Sequence, residues 1–543
     1  MNLFNEKEFL GYVYEINPQY AGIYFPSLSD LSKEYGGKSG VNVGDFIIIE
    51  GKERGFLARL TETGMHDSHN KTLRSSHEDL RILGKAEFLL TFKLSDPDKA
   101  EKTVFAYPSA GAKVYYCPEE QIEKYIQRFA GKTDGDLYAP LGTLVSSNAR
   151  CNISLNSLFA RHCAVIGTTG SGKSWTVSKL IESVISKTNN GIILFDATGE
   201  YGMLKSKTLI LGEDSYFPYQ KLSVSDLFIL LRPNGESQKS ILLEAVRSLK
   251  IMRLSEKTGT FKKAYHQRKE YNAFYKKFVT EIEDNTCNFD INYLVPQIKE
   301  ESVSYFPEGW GAVDTKLYDQ QASMVNKIVN LINTDVFNKL FGFKNAVQNN
   351  ISIIDAIENF TGSSYGGEKI LRINLENVSS LFSAKEITAN AIGSYLLDKA
   401  RNKTFRDSPV LLVVDEAHQF LNKNITDEHF ESLTLDAFDL IAKECRKYGL
   451  FLCLATQMPR DIPEGTLSQI GSFIVHRIIN ERDKKVVENA ASSAGKNMLS
   501  FLPALGEGEV LLVGVDFPMP LLLKIDKPDC PPVYNTPRLN KIL

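Results

Sequence analysis

Eight consecutive residues, Gly167-Thr168-Thr169-Gly170-Ser171-Gly172-Lys173-Ser174, fit the phosphate-binding loop pattern without a gap. Glycines at these positions let the backbone turn tightly enough for successive N–H groups to face phosphate oxygens, at the positive end of the helix that follows. Lys173 is then expected to reach the β and γ phosphates, and the Ser174 hydroxyl to ligate magnesium. Trp175 comes next and is counted with the nucleotide-binding stretch. The apolar run Cys163-Ala164-Val165-Ile166 leads into the loop as a buried strand would, a context that an ordinary glycine-rich turn lacks. The expected ligands are ATP and Mg2+.

Hydrolysis needs acids and a water-positioning group. Val410-Leu411-Leu412-Val413-Val414-Asp415-Glu416 is an apolar run closed by two carboxylates, the form of a central strand whose C-terminal end opens on a ligand cleft. Asp415 is expected to hold the magnesium ion through water, and Glu416 to orient and polarise the attacking water. Another apolar run, Phe451 to Thr456, ends in Gln457, whose amide either senses the γ-phosphate and lytic water or simply caps a strand. Arg446 lies just before that strand, at the end opposite the phosphates of its own subunit. It either makes a surface salt bridge or, in a ring, approaches the γ-phosphate of the neighbouring copy. Asp196-Ala197-Thr198-Gly199-Glu200-Tyr201 places two more carboxylates at a strand end expected to face the same cleft. Glu200 there either supports the metal or water or caps the next helix.

These groups need a sheet to carry them, and the chain is long enough for several domains. Its 543 residues, 43% hydrophobic and 24% charged, describe a soluble globular protein of two to four domains. The net charge of −3 makes any nucleic-acid surface a local feature. Seven scattered cysteines without a C-x-x-C pair suit a reducing cytoplasm and no structural zinc. Apolar runs are strand-length, and the amino terminus has no signal-peptide pattern, so a cytoplasmic location without membrane association is expected.

Residues 1–140 read as short strands that a small β-barrel would close. Strands alternating with helices follow over 141–216 and 344–520, the pattern of a largely parallel α/β sheet. Between them, 217–343 reads as a helical insertion, with apolar periodicity at Ala322, Val325, Ile328, Val329 and Ile332. Within it, Arg247, Lys250, Arg253, Lys257, Lys262, Lys263, Arg268, Lys269, Lys276 and Lys277, with interleaved tyrosines, either track a phosphate backbone or form a solvated helix face. Residues 521–543 read as an extended, proline-rich tail.

The assembled set resembles the HerA branch of the FtsK/HerA ATPases. The resemblance lies in Arg161 to Ser174, in Asp196 to Tyr201, in Val414-Asp415-Glu416-Ala417-His418, and above all in Ala442-Lys443-Glu444-Cys445-Arg446-Lys447-Tyr448-Gly449 with Ala455 to Ile462 and Asn480-Glu481-Arg482-Asp483. Two departures stand out. The family usually shows Asp-Pro-His-Gly-Glu-Tyr where this chain has Asp196-Ala197-Thr198-Gly199-Glu200-Tyr201, and Thr-Gln-Arg-Pro where this chain has Met458. Any role of that histidine is therefore missing here, and a contact of that arginine is either absent or supplied elsewhere, with Arg460 as a candidate.

The resemblance implies an α/β RecA-like core with a helical insertion and an N-terminal all-β barrel. It implies a hexameric, ATP-hydrolysing translocase of double-stranded DNA with nucleotide between subunits. It also implies a separate effector, a nuclease or a sirtuin-type NADase, in DNA-end processing or antiphage defence. The alternative is a ring-forming regulatory ATPase that assembles an effector, with DNA movement incidental.

Overall fold

The computed structural model describes residues 3–26, 34–35, 38–39, 41–67, 80–102, 107–130, 137–147, 149–344, 350–362, 368–421, 424–425, 433–491 and 496–533. The chain forms two compact units, one of Met1–Asn189, Phe451–Arg460 and Glu464–Leu543, the other of Asn190–Leu450 and Asp461–Pro463.

The first unit begins with strands β1 (Phe9–Ile16), β2 (Tyr20–Phe25), β3 (Phe46–Glu50), β4 (Arg54–Asp67), β5 (Leu80–Lys93), β6 (Asp96–Glu101) and β7 (Lys113–Tyr116). Antiparallel pairing runs β2-β1-β7-β3-β4-β5, and β2 returns to β5 through Tyr20↔Glu87 to Phe25↔Ile82. Six strands thus close a barrel and leave no open edge among themselves, while β6 extends from β5. Register shifts at Leu57/Ala58 and Leu60/Glu62 put one extra residue in β5 and one in β4, bulges where a small barrel must bend. Leu10, Ile23, Phe25, Ile47, Ile49 and Phe56 are among the side chains that fill the interior. Arg59 faces away from that core. It is buried, donates to Met498 Sδ and the Pro520 carbonyl, and lies 4.9 Å from the centroid of the Phe46 ring, tying the barrel to the rest of its unit. Burial lowers this guanidinium to about 10, partly offset by Glu87.

The α/β strands are, in chain order, β8 (Tyr138–Leu144), β9 (Arg150–Ser154), β10 (Cys163–Ile166), β11 (Gly191–Asp196), β12 (Lys207–Ile210), β13 (Ile370–Asn374), β14 (Val410–Val414), β15 (Leu450–Thr456), β16 (Ser472–Val475), β17 (Glu509–Gly514) and β18 (Leu521–Ile525). In the first unit they run β9-β8-β18-β17-β16-β10-β15, with β10 parallel to both β15 and β16. In the second they run β14-β11-β13-β12, all parallel. Strands β10, β11, β13 and β14 are buried along their whole length, which explains why β10 and β14 are wholly apolar and β11 is apolar up to Asp196, while β13 also carries the buried Arg372 and Asn374.

Two boundaries differ from the sequence reading. Leu521–Ile525, expected in an extended tail, is strand β18, paired antiparallel with β17 and β8. Pro518 and Pro520 masked it, although a proline just before a strand costs no ladder hydrogen bond. Strand β8 also runs across residue 140 into the sheet rather than ending a barrel domain there.

Between β12 and β13 the second unit is mainly helical, including Val224–Leu231, Gly235–Leu254, Arg268–Lys277 and Ala322–Asn333, with a hairpin of Val303–Tyr305 and Trp310–Val313. Its basic residues are largely partnered. Lys263 is buried against Glu301 at 2.5 Å, and Lys250 is buried on the carbonyls of Ile282 and Asp284. Arg247 pairs with Glu244 and Glu283 at 2.8 and 2.9 Å, and Lys262 with Glu300 at 2.8 Å. Lys269, Lys276 and Lys277 stay exposed. The arrangement is that of a self-neutralised helical surface rather than a continuous cationic track.

Candidate nucleotide-binding and hydrolysis residues

In the first unit, β10 delivers the chain into the loop Gly167 to Ser174. The Gly167 N–H donates to the Thr456 carbonyl (3.2 Å) and the Thr168 N–H to the Arg477 carbonyl (3.1 Å), so both neighbouring strands hold the loop's start. Gly170 and Gly172 have φ of 73° and 101°, a backbone that side chains rarely tolerate. A Cβ on Gly167 would lie 2.4 Å from the Cβ of His476. The helix Lys173–Lys187 starts directly after Gly172, with Lys173 buried and Ser174 and Trp175 half-buried. The N–H groups of its first turn form the positive pole an anion would meet. Lys527 Nζ lies 5.9 Å from the centroid of the Trp175 ring, so this tryptophan also packs on the C-terminal segment.

Gln457 follows β15, and its Oε1 accepts a 2.5 Å hydrogen bond from the Thr169 hydroxyl. The amide expected to sense phosphate therefore touches the phosphate loop. Arg460, suggested as a substitute for the family arginine, lies 3.2 Å from Asp483.

His476, which the sequence reading passed over, sits behind the loop. The ring is fully buried, with Nδ1 2.9 Å from the Ser171 carbonyl and Nε2 3.0 Å from the Thr176 hydroxyl. A carbonyl only accepts, so Nδ1 carries the proton. The neutral ring then accepts at Nε2 from Thr176. Burial lowers its pKa to about 3, with nearby Lys173 acting in the same direction and the Ser171 bond opposing both. The only available signal was a polar Val475-His476-Arg477 break at the end of an apolar strand, which reads equally as a core histidine.

In the second unit, β14 ends at Val414, and the Asp415 N–H donates to the Phe195 carbonyl at 3.1 Å, with Asp415 buried. Glu416 turns the chain off the strand with φ 45° and ψ 46°, a left-handed conformation unusual for a residue other than glycine. Its carboxylate lies 3.2 Å from His418 Nδ1. Such a strained turn on an acid is a reason to look for function at that position.

Asp196 was expected to face the cleft. It is instead fully buried and committed to structure: Arg372 contacts Oδ2 through Nε and Nη2 at 2.7 and 2.6 Å, and the N–H groups of Thr198, Gly199 and Tyr201 donate to its carboxylate. Gly199 has φ 80°, and a Cβ there would meet Glu376 Oε2 at 2.1 Å. Glu200 is half-buried in this turn. No helix begins there for it to cap, since turns lead from Ala197 to β12. Arg446 is exposed in the short helix Cys445–Tyr448 before β15, and among the described residues its side chain makes no ion pair. Its neighbour Glu444 is held by Arg401 through two 3.0 Å hydrogen bonds.

Among the described residues, no group of three or more His, Cys, Asp or Glu side chains is arranged to hold a metal ion. Nor is any described helix long and apolar enough to cross a membrane.

Comparison with known proteins places this geometry in a lineage. Residues 139–398 match the family described as "Helicase HerA, central domain", and residues 396–517 match "Helicase HerA-like C-terminal". The chain belongs to the HerA helicase family. It is accordingly a P-loop enzyme that hydrolyses ATP. The DNA double-strand break repair helicase HerA of Sulfolobus acidocaldarius is 28% identical over 430 residues, 77% of this chain and 74% of that protein. Its counterpart from Sulfurisphaera tokodaii is 28% identical over 446 residues, 80% of this chain and 75% of that protein. Among solved structures, VirB4 of Thermoanaerobacter pseudethanolicus gives a TM-score of 0.44 at 16% identity, over 73% of this chain and 97% of that one.

Proposed function

We propose that this chain is a cytoplasmic, ring-forming motor, a hexamer that couples hydrolysis of Mg·ATP to movement along double-stranded DNA and works with a separate effector, a nuclease or a sirtuin-type NADase, in DNA-end processing or antiphage defence. The observation that carries the reading is the phosphate loop, with its two positive-φ glycines at a helix N-terminus and Gln457 bonded to Thr169. Two relatives described as DNA double-strand break repair helicases support the DNA substrate.

Each residue has a role in this scheme. The N–H groups of Gly170, Gly172 and Lys173 cradle phosphate, and the Lys173 side chain neutralises its charge. The Ser174 hydroxyl would ligate magnesium, and the Asp415 carboxylate would hold it through water. A P-loop magnesium ion takes most of its ligands from phosphate and water, so two protein groups suffice and no larger cluster is needed. That ion, when bound, offsets negative charge on the phosphates. Glu416 takes the proton of the attacking water, Gln457 aligns that water, and Glu200 supports the acid side of the site. Arg446, exposed and without an ion pair among the described residues, acts on nucleotide held by a neighbouring copy. Trp175 packs beside the nucleotide. The barrel is the dock for the effector.

Two substitutions test the scheme. Lys173→Ala abolishes nucleotide binding, whereas Glu416→Gln retains binding and loses turnover by orders of magnitude. Near-normal turnover in Glu416→Gln would show that the water is activated elsewhere.

A further inference from the structure

We infer that His476 is a positioning residue for the phosphate loop, a neutral imidazole that fixes the Ser171–Gly172 peptide so that the Gly172 N–H faces bound phosphate. The inference rests on the nucleotide-binding role proposed for the loop.

Ser171 lies between the two loop glycines with positive φ, so its flanking backbone is the part of the loop least restrained by local sterics. Its carbonyl takes two hydrogen bonds from behind: His476 Nδ1–H at 2.9 Å and the Gly508 N–H at 3.0 Å. A trans peptide is planar, with its C=O and N–H pointing in opposite directions. Holding the Ser171 oxygen toward His476 and Gly508 therefore turns the Gly172 N–H the other way, away from the protein interior. That N–H belongs to the residue just before Lys173, at the pole of the helix where an anion binds.

Histidine suits the position for three geometric reasons. Its Cβ and the ring's Cγ would lie 2.4 and 3.3 Å from a Cβ on Gly167, so the side chain takes space that glycine leaves. Its far nitrogen is occupied by Thr176, one turn into the same helix, so the ring cannot rotate without losing a second bond. Being neutral, it adds no positive charge beside Lys173 and no second cation that would hold phosphate in the wrong place. His476 itself follows β16, and its own N–H donates to the Ile166 carbonyl at 2.7 Å, so the clamp is anchored to the strand that feeds the loop. The Gly508 side is anchored as well, since the Ile525 N–H of β18 donates to the Gly508 carbonyl at 2.9 Å.

The two amide side chains separate this role from simple packing. Asparagine places its N–H2 where Nδ1 stands and can still donate to Ser171. Glutamine places its amide near Nε2 and cannot. Equilibrium titration of the full-length chain with ADP is expected to show His476→Asn within about threefold of the wild type and His476→Gln weakened by about tenfold, the size expected for one lost hydrogen bond to a buried carbonyl. The KM for ATP should rise in His476→Gln while kcat at saturating ATP changes by less than about threefold. His476→Leu provides a second variant lacking the donor, expected to match His476→Gln, should the latter not fold. Equal ADP affinity in wild type and the donor-less variants would overturn the inference while leaving the loop as the nucleotide site. So would equal weakening in His476→Asn and His476→Gln that follows their melting temperatures, since that is a packing effect alone. Failure of the wild type itself to bind ADP would instead overturn the proposed function, and this inference with it.

Discussion

Acidification offers a measure of how fully His476 is buried as a neutral ring. An ordinary histidine titrates near 6.5, whereas burial and Lys173 lower this one to about 3. A folded-state value below the unfolded one means that the unfolded chain binds the extra proton. The stabilisation is therefore complete above pH 6.5 and is lost progressively as pH falls toward 3. Between pH 7 and pH 5 the unfolded chain becomes mostly protonated at this position while the folded chain stays neutral, and linkage gives a loss of about 2 kcal/mol. Other groups titrate over the same range, so the quantity to read is a difference between wild type and His476→Asn, whose amide does not titrate. The chain has two tryptophans, Trp175 and Trp310. A Trp310→Phe background leaves Trp175, on the helix that His476 supports through Thr176, as the sole tryptophan reporter. Urea unfolding followed by its fluorescence at pH 7 and pH 5 should show wild type losing about 2 kcal/mol more than the His476→Asn variant. Parallel pH dependences in the two proteins would refute the buried, neutral assignment.

Further predictions concern the second unit. Arg446→Ala should impair hydrolysis while leaving assembly intact, and mixing it with Lys173→Ala should restore part of the ATPase rate because the two defects would then fall on different faces of one interface; no recovery on mixing contradicts action between copies. Arg372→Met should destabilise the fold by about 3–5 kcal/mol, since it leaves the Asp196 carboxylate buried without its cation. An unchanged melting temperature would show that Asp196 is satisfied by the backbone alone.

The phosphate loop was legible because its chemistry is written in consecutive residues: the two glycines that adopt positive φ and the lysine that opens the helix stand side by side in the sequence. The buried strands were legible for a related reason, since β10, β11 and β14 are buried along their length and carry apolar runs, in β11 up to its terminal Asp196. Long-range pairings left weaker traces. Asp196 looks like a cleft carboxylate until Arg372, 176 residues later, is placed beside it. His476 is 305 residues from the carbonyl it fixes, and nothing near it in sequence marks that bond. Strand β18 was hidden by flanking prolines, although Leu521-Leu522-Leu523 is apolar enough to be one. The lysines of the insertion left two readings open, a phosphate track or a solvated helix face. Acidic partners such as Glu300 and Glu301 come 38 residues later, so a local count of charge could not decide between them.

The central claim is that ATP hydrolysis on this loop is coupled to double-stranded DNA, and steady-state ATP turnover of the full-length protein with and without duplex DNA, repeated over a salt series, tests it most directly. Turnover should rise when duplex DNA is added at low salt, and the stimulation should fade as salt increases and phosphate contacts weaken. Turnover indifferent to DNA, together with no binding of the duplex at low salt, would contradict the motor and leave a ring that acts on its effector alone.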